Sequence, residues 1–140
     1  MREAKYFVFI FLLLAFVSCD KAFENGKLDG MWRLEKVELG DSEVYPSNIY
    51  YSFQRHLVML GIYHEQAPPF LYMASFDYTA GDIVMCDFYK HPGIEGERDA
   101  EELEKLYIYN ETERFAVDVL SEDVLLMHTP DGRVYSFRKW

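Results

Sequence analysis

From Met31 onward, clusters of Gly, Pro, Asp, Ser and Asn interrupt the chain at short intervals, and the pieces between them are rich in Tyr, Phe, Val and Ile. Pieces this short, alternating apolar with polar side chains, make strands and cannot make a helical bundle. Eight such runs are readable: Met31 to Leu39, Ile49 to Gln54, Leu57 to Tyr63, Phe70 to Tyr78, Ile83 to Tyr89, Arg114 to Leu120, Val124 to Thr129 and Arg133 to Lys139. Eight strands joined mostly by short turns predict an all-β fold, an eight-stranded antiparallel up-and-down barrel, because closure removes the unpaired edges that invite aggregation.

The turns carry local reasons. Pro130-Asp131-Gly132 combines a preset φ with a residue that tolerates φ above zero, so the last two runs form a hairpin. Thr79-Ala80-Gly81-Asp82 is a second hairpin signal. Gly40-Asp41-Ser42 and Pro46-Ser47-Asn48 read as a loop, and Arg55-His56 as a tight turn, with one long bent strand from Ile49 to Tyr63 as the alternative. In the first run Trp32 and Leu34 share one face and Val37 and Leu39 the other, so a β-bulge is expected between them. Pro68-Pro69 is expected to block pairing. The character changes only at Gly93 to Glu104, where Asp99-Ala100-Glu101-Glu102 has capping-box spacing and Leu103, Leu106 and Tyr107 follow at helical spacing. One short helix belongs there.

The beginning of the chain is of another kind. Arg2 and Lys5 precede an unbroken apolar run, Tyr6 to Val17, and small Ser18 stands before Cys19. This is the layout of a secretory signal peptide over residues 1–18. The run is shorter than the roughly 20 apolar residues a spanning helix needs. Phe16-Val17-Ser18-Cys19 resembles the lipobox of bacterial lipoproteins, with Phe16 where Leu is usual. That resemblance implies lipidation of Cys19, a tether over residues 19–27, a barrel domain over 28–140, and a place in the cell envelope on a bacterial membrane, the outer membrane being favoured.

Net charge of −10, with scattered Lys and Arg, excludes a nucleic-acid footprint and gives no attraction to anionic lipid, so contact with the membrane is left to the acyl anchor. With Cys19 acylated, Cys86 has no disulfide partner, and alternation places it beside Val84 and Phe88 as a buried, inert thiol. His56, His64, His91 and His128 lie on separate segments without ligand spacing, so neither a metal nor a cofactor is expected. The acidic clusters Glu95 to Glu104 and Glu111 to Glu113 lack a calcium-loop pattern and read as solvated. No paired acid, base or nucleophile is present, so the chain is not read as an enzyme.

Gly30-Met31-Trp32 at the start of the first strand resembles the Gly-x-Trp motif of the lipocalins. Phe115 to Ser121, Val124 to Met127 and Tyr135 to Lys139 are similar to the closing strands of small lipocalin-like lipoproteins of Bacteroides-type bacteria. The resemblance implies that Trp32 packs near the closed end of the barrel under a basic side chain from the last strand, Arg138 by position, with Lys139 and Arg133 less favoured. It implies a fold more than a function. The middle strands carry an excess of aromatics on both faces, and a barrel of eight strands is just wide enough for packed side chains or one small ligand. Tyr51, Phe53, Tyr72, Phe76 and Phe88 are the candidate lining for a small hydrophobic or amphipathic molecule. The alternative is a protein-binding or inhibitory barrel, with the segment Gly61 to Phe70 as a stiff contact loop.

Overall fold

The computed structural model describes residues 24–92 and 98–140. The expected signal peptide, Cys19 and residues 20–23 of the tether lie outside them, as do Gly93 to Gly96 and Glu97. The strands are β1 (Gly30–Leu39), β2 (Ser42–Val44), β3 (Ile49–Gln54), β4 (Leu57–His64), β5 (Ala67–Thr79), β6 (Asp82–His91), β7 (Glu113–Leu120), β8 (Val124–His128) and β9 (Val134–Lys139), with helix α1 (Ala100–Glu104) between β6 and β7. β1 pairs with β3 on one side and β9 on the other, so β1 and β3–β9 form a closed antiparallel ring of eight.

Alternation decides which side chains face inward. On β3, Ile49, Tyr51 and Phe53 are buried while Gln54 is exposed. On β9, Tyr135 and Phe137 are buried between half-buried Val134 and Ser136. The expected bulge in β1 is present: its register against β9 shifts between Leu34 and Lys36, which keeps Trp32, Leu34 and then Val37 inside. β5 and β6 meet at Thr79 and Asp82 across Ala80 (φ 53°) and Gly81 (φ 81°), both left-handed as a two-residue hairpin of matching twist requires. Gln54 pairs with Leu57, so the Arg55-His56 segment is a tight turn between two strands.

Three expectations are corrected. The stretch read as a loop after Gly40 contains β2, whose Val44 and Ser42 pair with Val37 and Leu39. β3 covers β1 only from Gly30 to Arg33, so the far end of β1 would otherwise present a bare edge. Ser42 and Glu43 are exposed, which left no apolar pattern to read. Secondly, Pro68-Pro69 does not stop pairing: Ile62 pairs with Phe70 and His64 with Ala67 across a register shift, so Gly61 to Phe70 is a hairpin and not a loop. β6 reaches β5 only at Leu71, so neither proline faces a strand that needs its missing N–H. Thirdly, Cys86 is half-exposed on the outer face. Asp87 takes φ 57° and the register shifts there, so Phe88 turns inward with Met85 while Cys86 stays outside. Partial burial, and then the Asp87 carboxylate 3.5 Å away, push the Cys86 thiol pKa up, as an unreactive thiol requires.

The two ends of the ring are closed by different means. At one, the single turn Gly26–Leu28 tucks fully buried Leu28 beneath Trp32. At the other, α1 and the residues after it send Leu103, Leu106 and Ile108 into the mouth, all buried. Asp99 caps α1, its Oδ1 accepting from the N–H groups of Glu101 and Glu102 at 3.0 and 3.2 Å.

Candidate functional site

The five candidate lining residues all point into the ring, and each is at most 4% exposed. They come from β3 (Tyr51, Phe53), β5 (Tyr72, Phe76) and β6 (Phe88). Phe53 and Phe76 meet edge to face at 5.2 Å, and Tyr51 lies 5.0 Å from Phe137. Apolar side chains therefore occupy the lower barrel, and concavities of about 440 and 380 Å³ open on its outer wall.

Polar chemistry gathers at the α1 end. The Tyr51 hydroxyl donates to the Leu106 carbonyl at 2.5 Å, and the Tyr135 hydroxyl to the Tyr107 carbonyl at 2.6 Å. The Tyr72 hydroxyl donates to Glu102 at 3.1 Å and accepts from the Asp99 N–H at 3.0 Å. Glu102, which a capping box would turn back on Asp99, is instead held by Tyr72 and by Lys90 at 3.1 Å. Behind these hydroxyls sits a buried ion pair. Arg133 donates to Glu113 at 3.0 Å and to the Tyr135 oxygen at 2.7 Å, and its guanidinium lies 4.7 Å over the Tyr109 ring. Glu113 also accepts from the N–H groups of Tyr109 and Asn110 at 2.7 and 3.1 Å.

Burial raises the pKa of the phenols Tyr51 and Tyr135, so both are neutral donors at physiological pH. Burial works against the Arg133 charge too, but the Glu113 carboxylate and the Asp131 hydrogen bonds outweigh it and keep the guanidinium charged. The set is a row of neutral hydroxyls beside a matched charge pair, above a packed apolar interior. It can orient the polar end of an amphipathic molecule and offers no nucleophile.

The other end follows the first-strand motif with one correction. The basic side chain over Trp32 is Lys139, its Nζ 4.4 Å from the ring centroid, and not Arg138. Arg138 is exposed and pairs with Glu35 at 3.2 Å on the outside, because it lies one residue out of phase with buried Phe137. Lys139 reaches inward across Gly30, where a Cβ would meet its Nζ and Cε at 2.8 Å, and donates to the carbonyls of Lys27 and Asp29. Burial pushes the Lys139 pKa down. The Trp32 indole N–H donates to the Leu28 carbonyl at 2.8 Å.

Sequence reasoning nominates none of Glu113, Arg133 and Tyr135 as site residues, and its reading of the Glu111 to Glu113 cluster as solvated fails at Glu113, which is 1% exposed because the buried Arg133 guanidinium pairs with it. A signal existed: Glu113 and Phe115 share the inward phase of β7, and Arg133, Tyr135 and Phe137 that of the last hairpin arm. An acid and a cation on the inward phase meet here because β7 and β9 both flank β8, with Ala116 and Val134 opposite the same residue, His128.

A family model described as a lipocalin-like domain matches residues 12–140. Among solved structures, the chain is similar to a lipocalin-like protein from Bacteroides uniformis, with TM-score 0.67 and 19% identity over 82% of this chain and 100% of that one. It is also similar to an uncharacterized protein from Bacteroides eggerthii, with TM-score 0.66 and 16% identity over 81% of this chain and 99% of the other. No curated protein matches the sequence.

Proposed function

The chain belongs to the lipocalin-like domain family, and from that membership we propose that it is a lipid-anchored binding protein of the bacterial cell envelope, not an enzyme. The ligand is a small hydrophobic or amphipathic molecule, taken up at the end now closed by residues 98–112. Cys19 carries the acyl anchor, and the outer membrane is the expected location.

One observation carries the reading. The inward hydroxyls of Tyr51 and Tyr135 donate to backbone carbonyls of the closing segment, at Leu106 and Tyr107, while Arg133 on the wall side donates to the Tyr135 oxygen. The wall closes without that segment, since β6 and β7 pair directly from Asp82 and Ala116 to Met85 and Glu113. Displacing the segment would therefore leave a walled bowl lined by Tyr51, Phe53, Tyr72, Phe76 and Phe88, with free hydroxyls at its rim for a ligand's polar end.

Native mass spectrometry of the purified protein, incubated with an envelope extract, tests this. Expected is a reproducible small-molecule adduct, more abundant in a Leu106→Ala variant whose plug is loosened. A clean protein mass in both forms sinks the reading. Loss of membrane association in Cys19→Ser checks the anchor separately.

A second reading, a barrel whose outer wall engages another protein, has its own observation. Met31, Ser52, Met59, Met73 and Tyr89 align in register across five strands on the outer face, all half-buried and none charged. Unchanged crosslinking partners after Met73→Lys would count against it.

A further inference from the structure

The outer wall carries a second aromatic cluster, separate from the barrel interior. Tyr50, Tyr63, Trp140 and Met31 line a concavity of about 380 Å³. Tyr63 stands at 90° to Tyr50 with centroids 5.2 Å apart, and Trp140 at 81° with centroids 5.5 Å apart. Three rings with two near-perpendicular pairs make a notch, not a flat platform. It is exposed: Tyr63 is 36% and Trp140 71% accessible.

The notch is constructed by specific backbone features. Gly61 stands opposite Tyr50 in the β3–β4 register. A Cβ there would meet the Tyr63 ring at 2.9 Å and Leu71 at 2.8 Å, so its absence lets Tyr63 lean toward Tyr50. The Tyr63 N–H donates to the Asn48 carbonyl at 3.0 Å, and the Asn48 amide returns a bond to the Tyr63 carbonyl at 3.1 Å, which fixes the strand end on both sides. Directly after β9, the Trp140 backbone N–H donates to the Met31 carbonyl at 2.9 Å and holds the indole beside Tyr50.

Aromatic faces are electrostatically negative, and a box of them binds a quaternary ammonium that cannot donate hydrogen bonds. At the rim, the Arg33 guanidinium lies 5.7 Å from the Trp140 centroid and pairs with Glu35 at 2.9 Å. That fixed cation would oppose a bare ammonium and welcome an attached anion. A net charge of −10 draws cationic groups to the surface as a whole.

We propose that Met31, Tyr50, Tyr63 and Trp140 form a binding site for the quaternary ammonium of a choline-type zwitterion, with its phosphate on Arg33. The site is independent of the interior ligand and survives if the barrel proves permanently filled.

The test is a titration followed by tryptophan fluorescence, in which exposed Trp140 reports and fully buried Trp32 does not. Three probes are compared on the full protein: phosphocholine, choline, and 3,3-dimethylbutanol, the uncharged carbon isostere of choline. Phosphocholine is expected to bind about tenfold tighter than the alcohol, with choline between them. Arg33→Gln should remove the advantage of phosphocholine over choline and leave choline above the alcohol. Calorimetric titration of Trp140→Leu should show binding lost with an unchanged melting curve. Equal affinity for choline and the alcohol reduces the notch to an apolar slot and overturns the proposal, as does failure of phosphocholine to saturate.

Discussion

The two ends of the barrel are closed by opposite chemistry. One is shut by Leu28, Gly30 and Trp32, neighbours in sequence, with a single ammonium from Lys139 laid over the indole. The other is shut by three aliphatic side chains plus a network drawn from β3, β5, β7, β9, the turn before β9, α1 and the segment after it, in which hydroxyls, carbonyls and an ion pair must all match. Apolar closure tolerates small errors and is hard to reopen. A polar closure holds only while every partner is in place, and its partners are groups a ligand can replace.

The sharpest way to break the comparison is at Trp32. Trp32→Ala removes a fully buried indole, its bond to Leu28 and the ring beneath Lys139, and should cost about 3–5 kcal/mol. Thermal denaturation should show a fall of roughly 10–20 °C; an unchanged melting curve would remove this end's claim to be a keystone.

At the opposite end, Glu113→Leu strands the Arg133 charge, with a loss of about 3–5 kcal/mol at the lower part of that range because Asp131 still pairs with Arg133. The double variant Glu113→Leu with Arg133→Met should recover part of it in urea unfolding, the N–H groups of Tyr109 and Asn110 still lacking their acceptor. Failure to recover would mean that the charges themselves, and not their mutual satisfaction, hold the end together.

Leu106→Ala should cost about 2–3 kcal/mol, but locally. Hydrogen exchange should quicken at amides 103–108 while those of β3, β4 and β9 keep their protection. Uniform quickening would show that both ends belong to one cooperative unit.

The smallest effect is a pH dependence. Burial raises the pKa values of Tyr51 and Tyr135, so on alkalinisation the unfolded chain releases these protons first. Their contribution to stability is complete below about pH 10 and is lost as pH rises beyond it. Tyr51→Phe with Tyr135→Phe should flatten that alkaline limb, at a cost of about 1 kcal/mol each near neutrality. An equally steep limb in the double variant would place the dependence elsewhere.

The same contrast explains what the sequence disclosed. Trp32, the β1 bulge, both hairpin turns and the Asp99 cap rest on residues close together, and each was legible from spacing. The eight-stranded ring followed from strand number and the rule against bare edges. Arg138 was preferred over Lys139 because neither position nor charge distinguishes adjacent basic residues; the inward phase of Tyr135 and Phe137 does, and it leads to Lys139 only when the strand ends with its side chain bent back across Gly30. Strict alternation sets Cys86 on the same face as Phe88, because it carries no mark of the left-handed Asp87 that turns Phe88 inward and leaves Cys86 outside. The Glu113–Arg133 pair needed the register of three consecutive strands, β7, β8 and β9, which lays the β8–β9 turn beside the start of β7 and is not a property of any one local stretch.

The chain's start has a bearing on orientation. Asn25 donates to the Arg55 carbonyl at 2.9 Å, and Glu24 lies 3.7 Å from His56, so the polypeptide enters at the β3–β4 turn, beside the Trp32 end. From Cys19 to Glu24 the chain can span at most about 18 Å. An acyl group on Cys19 would thus seat the barrel with its Trp32 floor toward the bilayer and its α1 mouth pointing away. Traffic through that mouth would come from the aqueous side, and the molecule would stand on the membrane as a cup stands on a table.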